Sequence, residues 1–76
     1  MNPVVVDWMD AFIDTNDFSQ KEADKTEPVR RYTVGWFISE TDEGVVLATD
    51  YYDKSKDGYA ARMFIPWGMI NEWYDL

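Results

Sequence analysis

At 76 residues the chain has room for one domain built on one small core. It contains no Cys and no His, which removes disulfides, thiolate metal sites, the usual zinc ligands and the usual general base. Asp and Glu number 15 against 7 Lys and Arg, a formal net charge of −8, so a free nucleic-acid duplex is repelled and a basic protein surface is attracted, the competing reading being an acidic surface that serves solubility alone. The opening Met1-Asn2-Pro3 followed by Val4-Val5-Val6 has neither the basic segment nor the apolar length of a signal peptide. No apolar run is long enough to span a bilayer. The expectation is a soluble protein of the cytoplasm, and the lack of Cys suits a reducing compartment.

In chain order, Val4-Val5-Val6-Asp7-Trp8-Met9 is the first strand candidate, with Val4, Val6 and Trp8 on one face. A short helix from Asp7 to Ile13 competes with it. Residues 14–28 change character: Asp14, Asp17, Glu22, Asp24 and Glu27 stand against Lys21 and Lys25. Ser19-Gln20-Lys21-Glu22 matches a helix capping box, and Pro28 pushes Glu27 towards an extended conformation. This predicts an acidic connector with one helical turn, pinned to the body by Phe18. The organising strand is Arg30 to Ser39. Tyr32, Val34, Trp36 and Ile38 fall on one face, Thr33, Phe37 and Ser39 on the other, and Gly35 permits a bend.

Thr41-Asp42-Glu43-Gly44 reads as a turn, with Gly44 available for positive φ, and leads into a strand from Val45 to Tyr52 suited to a central position. The two strands form an antiparallel hairpin. After the loop Asp53–Gly58, Tyr59 to Ile65 is a further strand with Tyr59, Ala61, Met63 and Ile65 on one face. Pro66-Trp67-Gly68-Met69 stops the ladder and fits one 3₁₀ turn. Ile70 to Leu76 closes the chain as a short strand, its apolar spacing of three implying a bulge or a helical turn. The fold class expected is all-β: a small SH3-like or Sm-like open barrel of four or five antiparallel strands, with a helical turn in the acidic connector.

Few residues suggest chemistry. Asp53-Lys54-Ser55-Lys56-Asp57-Gly58 matches the first half of a calcium-binding EF-hand loop, but the closing Glu is replaced by Phe64 and the flanks are strands, so a plain turn is expected. Ser19, Ser39 and Ser55 have no His to activate them. Asp7, Asp10 and Asp14 are spaced so loosely that the sequence places no two of them across a cleft. No enzyme activity, metal or cofactor is expected. Arg30, Arg31, Tyr32 and Arg62 are candidates for holding a nucleotide; the competing reading puts Tyr32 in the core and the arginines in salt bridges. Trp67, between Pro66 and Gly68, is either an exposed interface anchor or a lid on one end of the core.

Trp8-Met9-Asp10-Ala11, Tyr32-Thr33-Val34-Gly35-Trp36, and Ile65-Pro66 followed by Met69-Ile70 together resemble a group of short, mostly uncharacterised bacteriophage proteins. In that group a Trp-x-Asp-Ala segment leads through an acidic stretch to a Val-Gly strand and closes on Ile-Pro. The resemblance covers nearly the whole chain in order; Trp67 departs from it, since a basic or small residue is more usual there. It implies a phage accessory protein acting in the cytoplasm of the infected bacterium, often against host machinery or defence systems. Joined to the acidic charge, this gives the main expectation: inhibition of a host protein with a basic surface, such as a defence or nucleic-acid-binding protein. Asp7, Asp10, Asp14, Asp17, Glu22, Asp24 and Glu27 would form the acidic face, with Phe18 and Trp67 as anchors. One alternative is a homo-oligomer that sequesters a nucleotide signal through Arg30, Arg31, Tyr32 and Arg62. Another is a small structural or regulatory module. Self-association is plausible in each, because strand edges pair readily.

Overall fold

Strand-forming runs, and the residues that interrupt them, set the architecture. The computed structural model describes residues 2–53 and 58–76. Among these lie β1 (Pro3–Asp10), β2 (Val29–Glu40), β3 (Gly44–Tyr51), β4 (Tyr59–Pro66) and β5 (Ile70–Asp75). A short helix, α1 (Gln20–Asp24), sits in the connector, and a 3₁₀ turn (Trp67–Met69) separates β4 from β5. The strands form one antiparallel sheet in the order β4-β3-β2-β1-β5. The β-branched start of β1 decides against the competing helix: Val5 pairs with Val34 of β2 on one side and Tyr74 of β5 on the other. No helix among the described residues is long and apolar enough to cross a membrane.

The long strand β2 serves two partners. From Val29 to Trp36 it pairs with β1, and from Trp36 to Glu40 with β3. One buried cluster joins both parts: Val4, Val6 and Trp8 of β1, Val45 and Leu47 of β3, and Ile65 of β4. Phe37, Met63, Trp67 and Ile70 pack against it. β1 and β4 are three strand spacings apart in the sheet, about 14 Å if it were flat, so the sheet must curl for their side chains to meet. Gly35 permits the close approach, since a Cβ there would lie 3.0 Å from the Ala48 carbonyl oxygen and 3.5 Å from Leu47 Cβ. The curled sheet does not close into a barrel.

Local details depart from simple alternation. Register shifts occur between Phe37 and Ser39 of β2, and between Asp7 and Trp8 of β1 against β5. The second accounts for the three-residue spacing of Ile70 and Trp73. Ala61 has left-handed backbone geometry, φ 58°, which interrupts the alternation expected for β4. The Thr41–Gly44 turn is closed by the Thr41 N–H donating to the Gly44 carbonyl at 2.9 Å. Gly44 is required there for space rather than for positive φ: a Cβ would lie 2.4 Å from the Ile65 carbonyl oxygen and 2.7 Å from Phe64 Cζ. Of the half-EF-hand loop Asp53–Gly58, residues 54–57 lie outside the described residues. The Tyr52 N–H donates to the Gly58 carbonyl at 3.1 Å.

The result is elongated, 55 × 23 × 23 Å, with a radius of gyration of 16.1 Å. A compact chain of this length would have about 11 Å. Gly44→Ala is expected to cost about 1–3 kcal/mol through overpacking against Ile65 and Phe64. Gly68→Ala, with nothing within 4 Å of its new methyl, should cost less, and urea denaturation of the two variants checks the difference.

Candidate functional site

Where β1 ends, the chain leaves the sheet and returns through the connector to β2, so the connector and the 3₁₀ turn face each other across an open groove. Its volume is about 1100 Å³. Met9, Phe12, Phe18 and Met69 supply apolar lining, and Asp10, Asp14, Asp17, Glu22 and Glu27 supply carboxylates. Lys25 is the basic residue among the lining groups.

Local hydrogen bonds shape the connector. The Asn16 N–H donates to Asp14 Oδ1 at 2.9 Å, making a turn of the kind short polar side chains favour. Ser19 caps α1: its Oγ accepts from the Glu22 N–H at 3.1 Å, and its hydroxyl donates to Glu22 Oε1 at 3.3 Å. The expected capping box is therefore a variant in which the Glu side chain meets the Ser hydroxyl instead of its backbone N–H. Gln20 Nε2 donates to Asp24 Oδ1 at 2.8 Å, and Thr26 Oγ1 to the Glu22 carbonyl at 2.9 Å. Phe18 does not pin this segment to the body; it is 72% exposed, and Ile13 is 92% exposed. Too few apolar side chains surround the connector to bury either one.

The expected acidic face divides. Asp10, Asp14, Asp17, Glu22 and Glu27 share the groove with Phe18, whereas Asp24 lies off it, bonded to Gln20. Asp10 is partly neutralised, because Arg31 reaches its Oδ2 at 2.9 Å while lying over the Trp8 ring. Asp7 belongs to no open surface. It is 1% exposed and accepts from Arg30 Nε at 2.9 Å, Arg30 Nη2 at 2.6 Å and Asn71 Nδ2 at 3.1 Å. A carboxylate buried between Val6 and Trp8 must have such partners or lose the charge. Trp67 is not on the groove either. It packs on the core, and its indole N–H donates to the Thr41 carbonyl at 2.8 Å, which makes it a lid that ties the 3₁₀ turn to the β2–β3 turn.

The arginines proposed to hold a nucleotide do not converge. Arg30 and Arg31 are engaged by Asp7 and Asp10. Tyr32 is exposed rather than core, and Arg30 lies over its ring. Arg62 pairs in register with Ala48, which pairs with Trp36, six residues along β2 from Arg30. Six residues of strand span about 20 Å. Among the described residues, no group of three or more His, Cys, Asp or Glu is placed to hold a metal ion.

Asn71 and Thr33, the latter accepting from the Trp8 indole N–H at 2.8 Å, have supporting roles that sequence reading did not assign. The available signal was the polar group on an apolar strand, which demands a partner from a neighbouring strand.

The hydrogen bonds from Arg30 hold the Asp7 carboxyl below its ordinary value; burial opposes this, and Asn71 and the Arg30 charge add to the lowering. A carboxylate depressed by folding contributes stability that is fully present above its unfolded value, near 3.9, and lost as pH falls through the folded value. The urea midpoint of the wild-type chain should therefore fall on acidification below about pH 4. Asp7→Asn should be less stable at neutral pH and show a shallower acid decline; equal slopes for the two proteins would contradict the assignment.

Comparison of the chain with protein-family models, with curated proteins and with solved structures gives no match.

Proposed function

We propose that this chain is a phage accessory protein that binds and inhibits a host protein bearing a basic surface, acting in the bacterial cytoplasm. The observation that carries the reading is the groove itself. Carboxylates of Asp14, Asp17, Glu22 and Glu27 rim an opening with Phe12 and Phe18 exposed beside them, on a chain of net charge −8. Carboxylates steer a basic partner, and exposed aromatics then supply desolvated contact. The sequence resemblance to small phage proteins supports the setting, and the lack of His and Cys supports action by adhesion rather than by catalysis.

The strand order, the long β2 shared between β1 and β3, and the 3₁₀ turn before the last strand support an SH3-like or Sm-like architecture for the scaffold, opened here along one side. Such a frame holds one end of the groove rigid through Met69 and the Trp67 lid, while the connector supplies the charged wall.

The test is affinity capture of host proteins, followed by binding kinetics of the captured protein at rising salt. Association should slow steeply as salt screens the carboxylates. The triple variant Asp14→Asn, Asp17→Asn, Glu22→Gln should lower the association rate by about tenfold while leaving the fold intact. An association rate flat in salt and unchanged in the triple variant would overturn the acidic-groove mechanism.

A further inference from the structure

The connector groove also constrains the shape of what can enter it. Its volume, about 1100 Å³, lies at the upper limit of small-molecule pockets, about 300–1,000 Å³. It equals about 14 Å of a helix 10 Å across, or between two and three turns. The apolar lining comes from Met9 at the end of β1, Met69 of the 3₁₀ turn, and Phe12 and Phe18 of the connector. Methionine adapts to irregular apolar surfaces, and grooves that accept helices use it for that reason. With Asp10 held by Arg31, the rim keeps Asp14, Asp17, Glu22 and Glu27 against Lys25.

An extended segment joins a sheet through main-chain hydrogen bonds at a free edge. The edges of this sheet are β4 and β5, and neither strand lines the groove. The strand residues that do reach it, Met9 and Asp10, lie in β1, where they pair with Arg30 and Val29 of β2. A helix asks no main-chain bonds of its host, because its own are internal. It binds through side chains at i, i+3, i+4 and i+7, and side chains are what these walls offer.

We infer that the groove takes a basic amphipathic helix of the partner, about two to three turns long. Its apolar stripe lies on Met9, Phe12, Phe18 and Met69, and its Lys or Arg side chains face Asp14, Asp17, Glu22 and Glu27. The inference rests on the acidic-groove reading and adds the partner's shape to it. Gly68 lines the same opening, and a Cβ there meets nothing within 4 Å. A large side chain at that position therefore obstructs the groove without straining the turn.

Fluorescence anisotropy of the full chain with labelled peptides tests it. One peptide of about 14 residues carries Leu at helix-period positions and Lys elsewhere; a second, of the same composition, alternates Leu and Lys. The first should bind saturably, gain helical circular dichroism on binding, and bind at least about tenfold tighter than the second. Gly68→Phe and Phe18→Ala should each weaken it by about fivefold or more with unchanged near-ultraviolet spectra. Asp14→Asn, Asp17→Asn, Glu22→Gln should cost about tenfold, whereas Glu40→Gln, Asp42→Asn, Glu43→Gln, an equal change of charge at the exposed β2–β3 turn, should cost less than about threefold. Equal binding of the two peptides, equal losses in the two triple variants, or no effect of either Gly68→Phe or Phe18→Ala would each overturn the helix. A captured basic host protein whose salt-dependent binding ignores Gly68→Phe would overturn the helix and keep the host reading. Peptide binding as described, with no basic host protein captured, would keep the helix and overturn the host reading.

Discussion

The close approach of β3 to Gly35 of β2 is the constraint on which the rest depends. One strand must pair with β1 over its first part and with β3 over its second. The side chains of β1 must also meet those of β3 and β4 in one cluster. Any side chain at position 35 would press on the Ala48 carbonyl oxygen at 3.0 Å, so glycine is what lets the two parts of the sheet fold towards each other. Among the described residues no second layer supplies the core; the sheet has to provide both walls itself.

That solution leaves material over. The concave side takes up Val6, Val45, Leu47 and Ile65, and Trp67 closes one end. The outer face and the connector remain, with aromatics and carboxylates that contribute little to the core. On the proposed reading the connector is the functional part of this surplus, its groove open to a basic partner. The buried Asp7 shows the opposite economy. Its charge is tolerated because Arg30 and Asn71, from the two strands flanking β1, reach it together, and it thereby links β2 and β5 through β1.

Much of this was legible in the residues. The β-branched run Val4-Val5-Val6, the glycine in the long strand, the capping residue Ser19 and the break at Pro66 each act locally, so strands, helical turn and 3₁₀ turn emerge where local chemistry puts them. What the chain order concealed was pairing across distance. Asp7 read as one more carboxylate until Arg30, 23 residues away, and Asn71, 64 away, came beside it. Trp67 could be anchor or lid until Thr41, 26 residues earlier, offered its carbonyl. Phe18 was expected to pin the connector because apolar side chains usually find a core, but it lines an open groove and stays 72% exposed. Barrel closure likewise depends on where the two sheet edges come to lie, and strand propensity carries no information on that.

Hydrogen exchange resolved at single amides tests the shared core most directly. If the close approach at Gly35 unites both parts of the sheet round one core, amides of Val6 and Trp8 in β1 and of Leu47 and Ile65 in β3 and β4 should open with one common free energy, while those of residues 11–28 exchange far more readily. A β3–β4 hairpin that opens on its own, with β1, β2 and β5 still protected, would contradict the account.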